Sequence, residues 1–301
     1  MQEKLIVILG PTSVGKTDLS IKLAKKFGGE IVSADSRQIY KGLDIGSGKI
    51  TKNQMCGIPH HLLDVANPKR KFTVAQYQKL AFTTIQQIQQ RGRIPFLVGG
   101  TGFYIQSIVD GTVIPEVKPN WKFRKELGKK SVEQLFEILK KLDPERAKNI
   151  DPKNPRRLIR AIEIVKTTGQ PVPKIGGRPT SPYFDIIQIG VKKSPEELKK
   201  LIQKRLQKRI KGIITEVTSL RASRRGNPGL SFKRLEELGL EYRFVAQYIQ
   251  DKLTYEEMIH KIQIESEHYA KRQMTWFKRD RKIHWIKNYK EAEALVKKFL
   301  Q

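Results

Sequence analysis

The chain has 301 residues, of which 59 are lysine or arginine and 30 aspartate or glutamate, giving a formal net charge of +29. With 38% hydrophobic and 30% charged residues, its apolar runs stop far short of the ~20 residues a membrane helix needs, which excludes a membrane-spanning protein. The single cysteine, Cys56, excludes an internal disulfide and a zinc site built on paired cysteines, and a reducing cytoplasm is the expected compartment.

The first predicted element is a buried parallel strand, Leu5 to Leu9, followed at once by Gly10-Pro11-Thr12-Ser13-Val14-Gly15-Lys16-Thr17 and a helix with apolar spacing at Leu19, Leu23 and Phe27. This is the phosphate-loop pattern G-x-x-x-x-G-K-[ST] in the strand-to-helix setting where it has a mechanism. Terminal glycines let successive backbone N–H groups turn inward around an anion, the helix contributes its positive end, Lys16 adds a point charge, and Thr17 can hold Mg²⁺. The competing reading is a glycine-rich turn without a ligand. The second strand, Glu30 to Ala34, ends at Asp35, where a carboxylate can hold a metal, accept a proton or cap the following turn.

Further strands are predicted at His61 to Asp64, Ile94 to Val98, Phe184 to Val191 and Lys282 to Ile286, with a helix over Ala75 to Gln90. The strand at Ile94 ends in Gly99-Gly100-Thr101-Gly102 and lacks the metal-holding acid of many nucleotide hydrolases, which weighs against an ATPase. Asp64 is the other strand-end acid, free to replace it or to cap. Val113 to about Ile150 is proline-punctuated and then helical, and Ser194 to about Thr275 is nearly all helix, broken by the basic loop Arg221 to Pro228. Strands alternating with helices behind a phosphate loop define an α/β class: a doubly wound, mainly parallel sheet with a helical insertion.

Two basic segments stand out. Asn154-Pro155-Arg156-Arg157-Leu158-Ile159-Arg160-Ala161 opens a helix with Arg157 and Arg160 on one face, suited to phosphates and bases or simply to solvent. Tyr269 to Phe277 interleaves Lys271, Arg272 and Gln273 with aromatic residues, with Trp276 and Phe277 assigned to the core. The charge excess is +8 over residues 1–110 and +21 over 111–301, so the grip on a polyanion is expected in the later part. A solvated lysine-rich surface is the competing reading.

Taken in order, G-P-T-S-V-G-K-T, S-A-D-S-R-Q-I-Y, D-I-G-S-G-K, P-H-H-L-L-D, V-G-G-T-G-F-Y, N-P-R-R-L-I-R-A and A-K-R-Q-M-T-W-F resemble the bacterial tRNA dimethylallyltransferases, also called tRNA isopentenyltransferases, over roughly residues 4–286. The resemblance implies transfer of a dimethylallyl group from dimethylallyl diphosphate to N6 of the adenosine 3′ of the anticodon, with Mg²⁺ as cofactor and the tRNA anticodon stem-loop as partner. It implies that Gly10 to Thr17 and Arg209, chosen from the pair Arg205 and Arg209, hold diphosphate. Asp35 becomes the base at N6, supported by Lys16 and Thr101, while Asp35, Ser36, Arg37, Gln38 and Thr101 meet the target nucleotide. Arg124, Arg156, Arg157, Leu158, Ile159, Arg160, Lys271, Arg272 and Gln273 become further tRNA contacts. The family's usual G-Y-[RK]-[QE] stands here as Gly239-Leu240-Glu241-Tyr242-Arg243, so no RNA contact is carried to Tyr242 or Arg243. The expected organisation is a phosphate-loop core over 1–112, a helical insertion over 113–150, a return to the core over 151–193, a helical tRNA-facing region over 194–275 and a last core segment over 276–301. Rival readings are an isopentenyltransferase of free adenine nucleotides, a small-molecule kinase, and a non-enzymatic RNA binder. No protein partner and no membrane are expected.

Overall fold

The computed structural model describes residues 3–112, 114–115, 117–173, 183–222 and 229–301, which fall into two compact units, residues 1–109 with 181–301, and residues 110–180. The basic loop Arg221 to Pro228 lies mostly outside the described residues.

The larger unit opens with β1 (Glu3–Leu9), α1 (Lys16–Phe27), β2 (Gly29–Ala34), β3 (His60–His61), α2 (Val74–Gln90), β4 (Ile94–Gly99) and α3 (Gly102–Val109). The smaller unit follows as α4 (Trp121–Leu127), α5 (Val132–Leu142), α6 (Pro144–Asn149) and α7 (Pro155–Thr168). The chain then completes the larger unit with β5 (Phe184–Val191), α8 (Pro195–Arg221), α9 (Phe232–Leu238), α10 (Leu240–Tyr248), α11 (Tyr255–Phe277), β6 (Ile283–Ile286) and α12 (Tyr289–Leu300). None of the described helices is long and apolar enough to cross a membrane.

Six strands form one sheet in the order β3-β2-β4-β1-β5-β6, every pairing parallel. The β1 run is apolar throughout because both faces are covered. Leu5, Val7 and Leu9 face a core shared with α2, α3 and the later helices, while Ile6 and Ile8 face one shared with α1 and α12. Local signals start the helices: Thr73 with Gln76, and Thr254 with Glu257, form reciprocal capping boxes at α2 and α11.

Two expectations change. The strand predicted over His61 to Asp64 is only His60–His61, because Leu62 (φ 61°) and Asp64 (φ 57°) adopt left-handed backbone that cannot extend a ladder. The return to the core expected at residue 151 comes later. Leu158, Ala161 and Ile162 of α7 share a core with Leu135 and Leu139 of α5, so α7 belongs to the helical unit and the chain re-enters the sheet at β5.

Within the helical unit a fully buried carboxylate ties α4 to α7. Glu163 accepts from the Asn120 amide at 2.8 Å, from Arg124 Nε and Nη2 at 2.8 and 2.6 Å, and from Arg160 Nη1 at 2.5 Å. Burial alone would push its pKa up; the hydrogen-bonded guanidiniums of Arg124 and Arg160 hold it below the usual carboxylate range. Replacing Glu163 with Ala leaves two guanidiniums without their counter-charge and is expected to cost about 3–5 kcal/mol. Hydrogen exchange at α4 and α7 measures the loss, against exposed Arg156→Ala, expected within about 0.5 kcal/mol of the parent.

Candidate active site at the phosphate loop

The loop between β1 and α1 has the left-handed turns an anion nest requires: φ is 149° at Gly10, 65° at Ser13 and 88° at Gly15. Gly10 is also demanded sterically, since a Cβ there would overlap the carbonyl oxygen of Val191 at the end of β5. Gly15 caps α1 without a side-chain hydrogen bond, so the amides of the first helical turn are not taken by a capping oxygen and point at the loop's centre. Lys16 Nζ donates to the Pro11 carbonyl at 2.5 Å. Loss of water pushes its pKa down to about 7, the nearby Asp35 carboxylate pulls the other way, and Arg205 adds to the depression. The Thr17 side chain is exposed at the start of α1.

Beside the nest, at the carboxyl end of β2, Asp35 Oδ1 accepts the amides of Arg37 at 2.8 Å and Gln38 at 3.3 Å. One carboxylate oxygen thus shapes the turn while the other is left toward the cavity. Thr101, delivered by the Gly99-Gly100 turn after β4, accepts the Ser36 amide at 3.0 Å and is hydrogen-bonded to Tyr269 of α11. Burial, then the Asp35 charge, pushes the Tyr269 hydroxyl up to about 12, so it remains a hydrogen-bonding O–H.

A cavity of about 820 Å³ joins these parts, lined among others by Lys16, Asp35, Gln38, Arg205, Tyr269 and Arg272. One wall is the loop Asp44 to Lys49. Lys49 is buried and donates to Asp44 and Asp64, both at 2.6 Å, and to the Tyr40 carbonyl at 2.9 Å. Asp64 is an exposed counter-ion of Lys49 and is not among the residues that line the cavity.

Thr12 to Thr17, Asp35, Ser36, Arg37 and Gln38 line this one cavity, with Gly10 and Pro11 leading into the loop and Thr101 bonded to Ser36 beside it; several other expectations are corrected. Arg205 is the arginine against the phosphate loop, its Nη1 donating to Thr12 Oγ1 at 2.9 Å and lying 3.5 Å from Ser13 Oγ; Arg209, the one expected there, lines the same cavity and donates to the Gly46 carbonyl at 2.9 Å. Gln273 is not an outward contact. It is buried, accepts the Thr12 amide at 2.9 Å and donates to the Gly100 carbonyl at 2.8 Å, bracing one loop against the other. Lys271 and Arg272, on the same helix, are exposed, and Arg272 reaches the cavity rim. In the helical unit Arg156 and Arg157 are exposed, Leu158 is fully buried, which removes its side chain from a surface role, and Ile159 is half-buried against the same core. Arg124 and Arg160 are half-exposed but bound to Glu163. Tyr269, in the sequence one aromatic of the segment 269–277 with no role of its own, stands at the site; it lies four residues before Gln273, one helical turn along the same face. Glu216 and Tyr242, likewise without a role in the sequence, grip the loop at residues 44–47.

A parallel sheet with an anion nest at the end of β1 and a carboxylate at the end of β2 defines a phosphate-loop α/β enzyme. A family model described as IPP transferase matches residues 38–280. The chain is 39% identical over 306 residues to the tRNA dimethylallyltransferase of Caldanaerobacter subterraneus subsp. tengcongensis, covering 98% of this chain and 96% of that protein. It is 40% identical over 292 residues to that of Bacillus pumilus, covering 95% and 90%. The crystal structure of the full-length tRNA isopentenylpyrophosphate transferase from Bacillus halodurans aligns with a TM-score of 0.70 at 35% identity, covering 99% of this chain and 96% of that one. A eukaryotic dimethylallyltransferase acting on tRNA aligns at 0.76 with 28% identity, covering 91% of this chain and 69% of that one. The chain belongs to the IPP transferase family.

The Lys16 amine gives a pH signature. With a pKa near 7 it is mostly neutral at pH 8, and a bound diphosphate restores its proton. Calorimetry of inorganic diphosphate in buffers of different ionisation enthalpy should therefore show wild type taking up more protons than Lys16→Met at pH 8, with the difference shrinking toward pH 6. Equal uptake by the two proteins at pH 8, together with diphosphate affinity unchanged in Lys16→Met, would show that Lys16 does not meet the anion.

Proposed function

We propose that this protein transfers a dimethylallyl group from dimethylallyl diphosphate to the exocyclic N6 of the adenosine on the 3′ side of the anticodon in tRNA, releasing diphosphate. The observation that carries the reading is one cavity holding both a nest for diphosphate and, beside it, a carboxylate with an uncommitted oxygen.

In the reaction the C1–O bond of the donor breaks and an N6–C1 bond forms, with the electron pair of the broken bond leaving on diphosphate. The amides of residues 13–17, Lys16 and Arg205 surround the place where that charge develops, and they are organised before the substrate arrives. Mg²⁺ suits the donor set, because it is held through one or two protein oxygens, substrate phosphates and water; the Thr17 hydroxyl supplies such an oxygen. Among the described residues no cluster of three or more His, Cys, Asp or Glu offers a separate metal cage. When bound, the ion neutralises charge on the departing diphosphate. Asp35 takes the N6 proton on the oxygen that its turn leaves free, as the nitrogen gains its new bond. Thr101, Ser36 and Tyr269 form the adjoining wall that receives the extruded base. The charge of +29 supplies the long-range attraction for RNA, and exposed Arg156 and Arg157 present guanidiniums to the phosphate backbone.

Incubation with labelled dimethylallyl diphosphate, Mg²⁺ and unmodified tRNA, beside free AMP and ATP, should place label on N6 of the anticodon-adjacent adenosine. Label on free nucleotide alone, or turnover of ATP without label, would overturn the assignment. Asp35→Asn, which keeps the turn's acceptor oxygen, is expected to lower turnover by about 10²–10⁴-fold while tRNA affinity stays within about threefold in a filter-binding titration. Arg157→Ala should reduce the slope of log K against log salt by about 0.7–0.9, the signature of one lost phosphate contact.

A further inference from the structure

Glu216 of α8 lies outside the chemistry described above, yet its surroundings are unusually complete. Oε2 accepts the amides of Asp44 at 2.9 Å and Ile45 at 2.5 Å; Oε1 accepts the Gly46 amide at 3.2 Å and the Tyr242 hydroxyl at 2.7 Å. The Tyr242 oxygen in turn accepts the Ser47 amide at 3.1 Å. Four successive backbone amides, Asp44 to Ser47, are thus captured by side chains from helices 170–195 residues away. The Tyr242 ring is almost wholly buried, and a Cβ on Gly46 would overlap it, so the loop is seated as well as bonded.

The captured loop holds Arg209 by a hydrogen bond and leaves the room that Arg205 fills. Gly46 carries the carbonyl that receives Arg209 Nη2, and Gly48, at φ 66°, leaves the space that Arg205 and Arg209 occupy; a side chain there would overlap the Arg205 guanidinium. On its other side the Gly48 carbonyl accepts Gln38 Nε2 at 3.2 Å. Arg205 and Arg209 bear like charges in one cavity wall, and burial with this repulsion depresses Arg209 to about 10. Two such groups stay together without a ligand only where fixed acceptors hold them, and the loop's carbonyls and the phosphate-loop hydroxyls are those acceptors.

We propose that Glu216 and Tyr242 are a positioning pair: by locking residues 44–48 they set Arg205 and Arg209 for the diphosphate of the prenyl donor. The inference rests on the diphosphate reading of the phosphate loop. The test measures inorganic diphosphate binding by calorimetry, and separate KM values for dimethylallyl diphosphate and tRNA, in wild type, Glu216→Ala, Glu216→Gln and Tyr242→Phe. Glu216→Ala should weaken diphosphate binding and raise KM for the donor by about tenfold or more while KM for tRNA stays within about twofold. Tyr242→Phe, which loses one oxygen and keeps the packing, should give about a threefold effect of the same kind, and Glu216→Gln, which keeps one acceptor oxygen and turns an NH2 toward the remaining donors, should recover only part of the loss. Diphosphate affinity unchanged in the folded variants, with only the melting temperature lowered, would reduce the pair to a structural prop and overturn the proposal. Should Glu216→Ala not fold, Tyr242→Phe alone decides between these outcomes. Failure of wild type itself to bind diphosphate is a separate result, which removes the underlying reading.

Discussion

Desolvation of one ammonium group organises this site. Lys16 lies at the junction of a strand buried on both faces and a helix whose first amides point inward, and it is deprived of enough water that its pKa falls to about 7. A cation held this way is poorly compensated by a backbone carbonyl, and its strongest available partner is a multivalent anion in the nest. Much of the larger unit keeps that nest in place. Val191 packs against Gly10, Gln273 braces Thr12 to Gly100, and Arg205 reaches across from α8 to Thr12 and Ser13.

The same geometry separates two tasks within one cavity. The nest at β1 is built from amides and cations and receives departing negative charge, whereas the turn after β2 presents a carboxylate suited to a proton. Because β4 lies between β1 and β2 in the sheet, the Gly99-Gly100-Thr101 turn falls between the two centres and touches both, through Gln273 on one side and Ser36 on the other. That arrangement suits a reaction in which a carbon passes from a diphosphate oxygen to a nitrogen. It suits phosphoryl transfer less well, since Asp64, the other acid at a strand end, pairs with Lys49 and does not line the cavity.

Contiguity decided what could be read from the sequence. The strand, phosphate loop and first helix occupy consecutive residues with strong periodicity, and Asp35 and Thr101 follow from their positions at strand ends. What escaped the reading depends on long-range packing. Nothing local marks Gln273 as buried rather than outward; its environment is set by Gly100 and Thr12. Arg205 and Arg209 share a helical face, so spacing nominates both, and only the loop at Gly46 and Gly48 determines which one reaches Thr12. The two-residue β3 and the late return to the sheet have the same origin: left-handed backbone at Leu62 and Asp64 in one case, and the apolar face of α7 finding α5 in the other.

The central claim is that the loop at residues 10–17 holds the diphosphate of a prenyl donor whose reactive carbon faces Asp35. A crystal structure with dimethylallyl S-thiolodiphosphate, a slowly reacting analogue, tests it most directly. Both phosphates are expected in the nest against Lys16 and Arg205, with the prenyl C1 directed toward the carboxylate of Asp35. An analogue bound elsewhere in the cavity, or seated in the nest with its prenyl group turned away from Asp35, would contradict it.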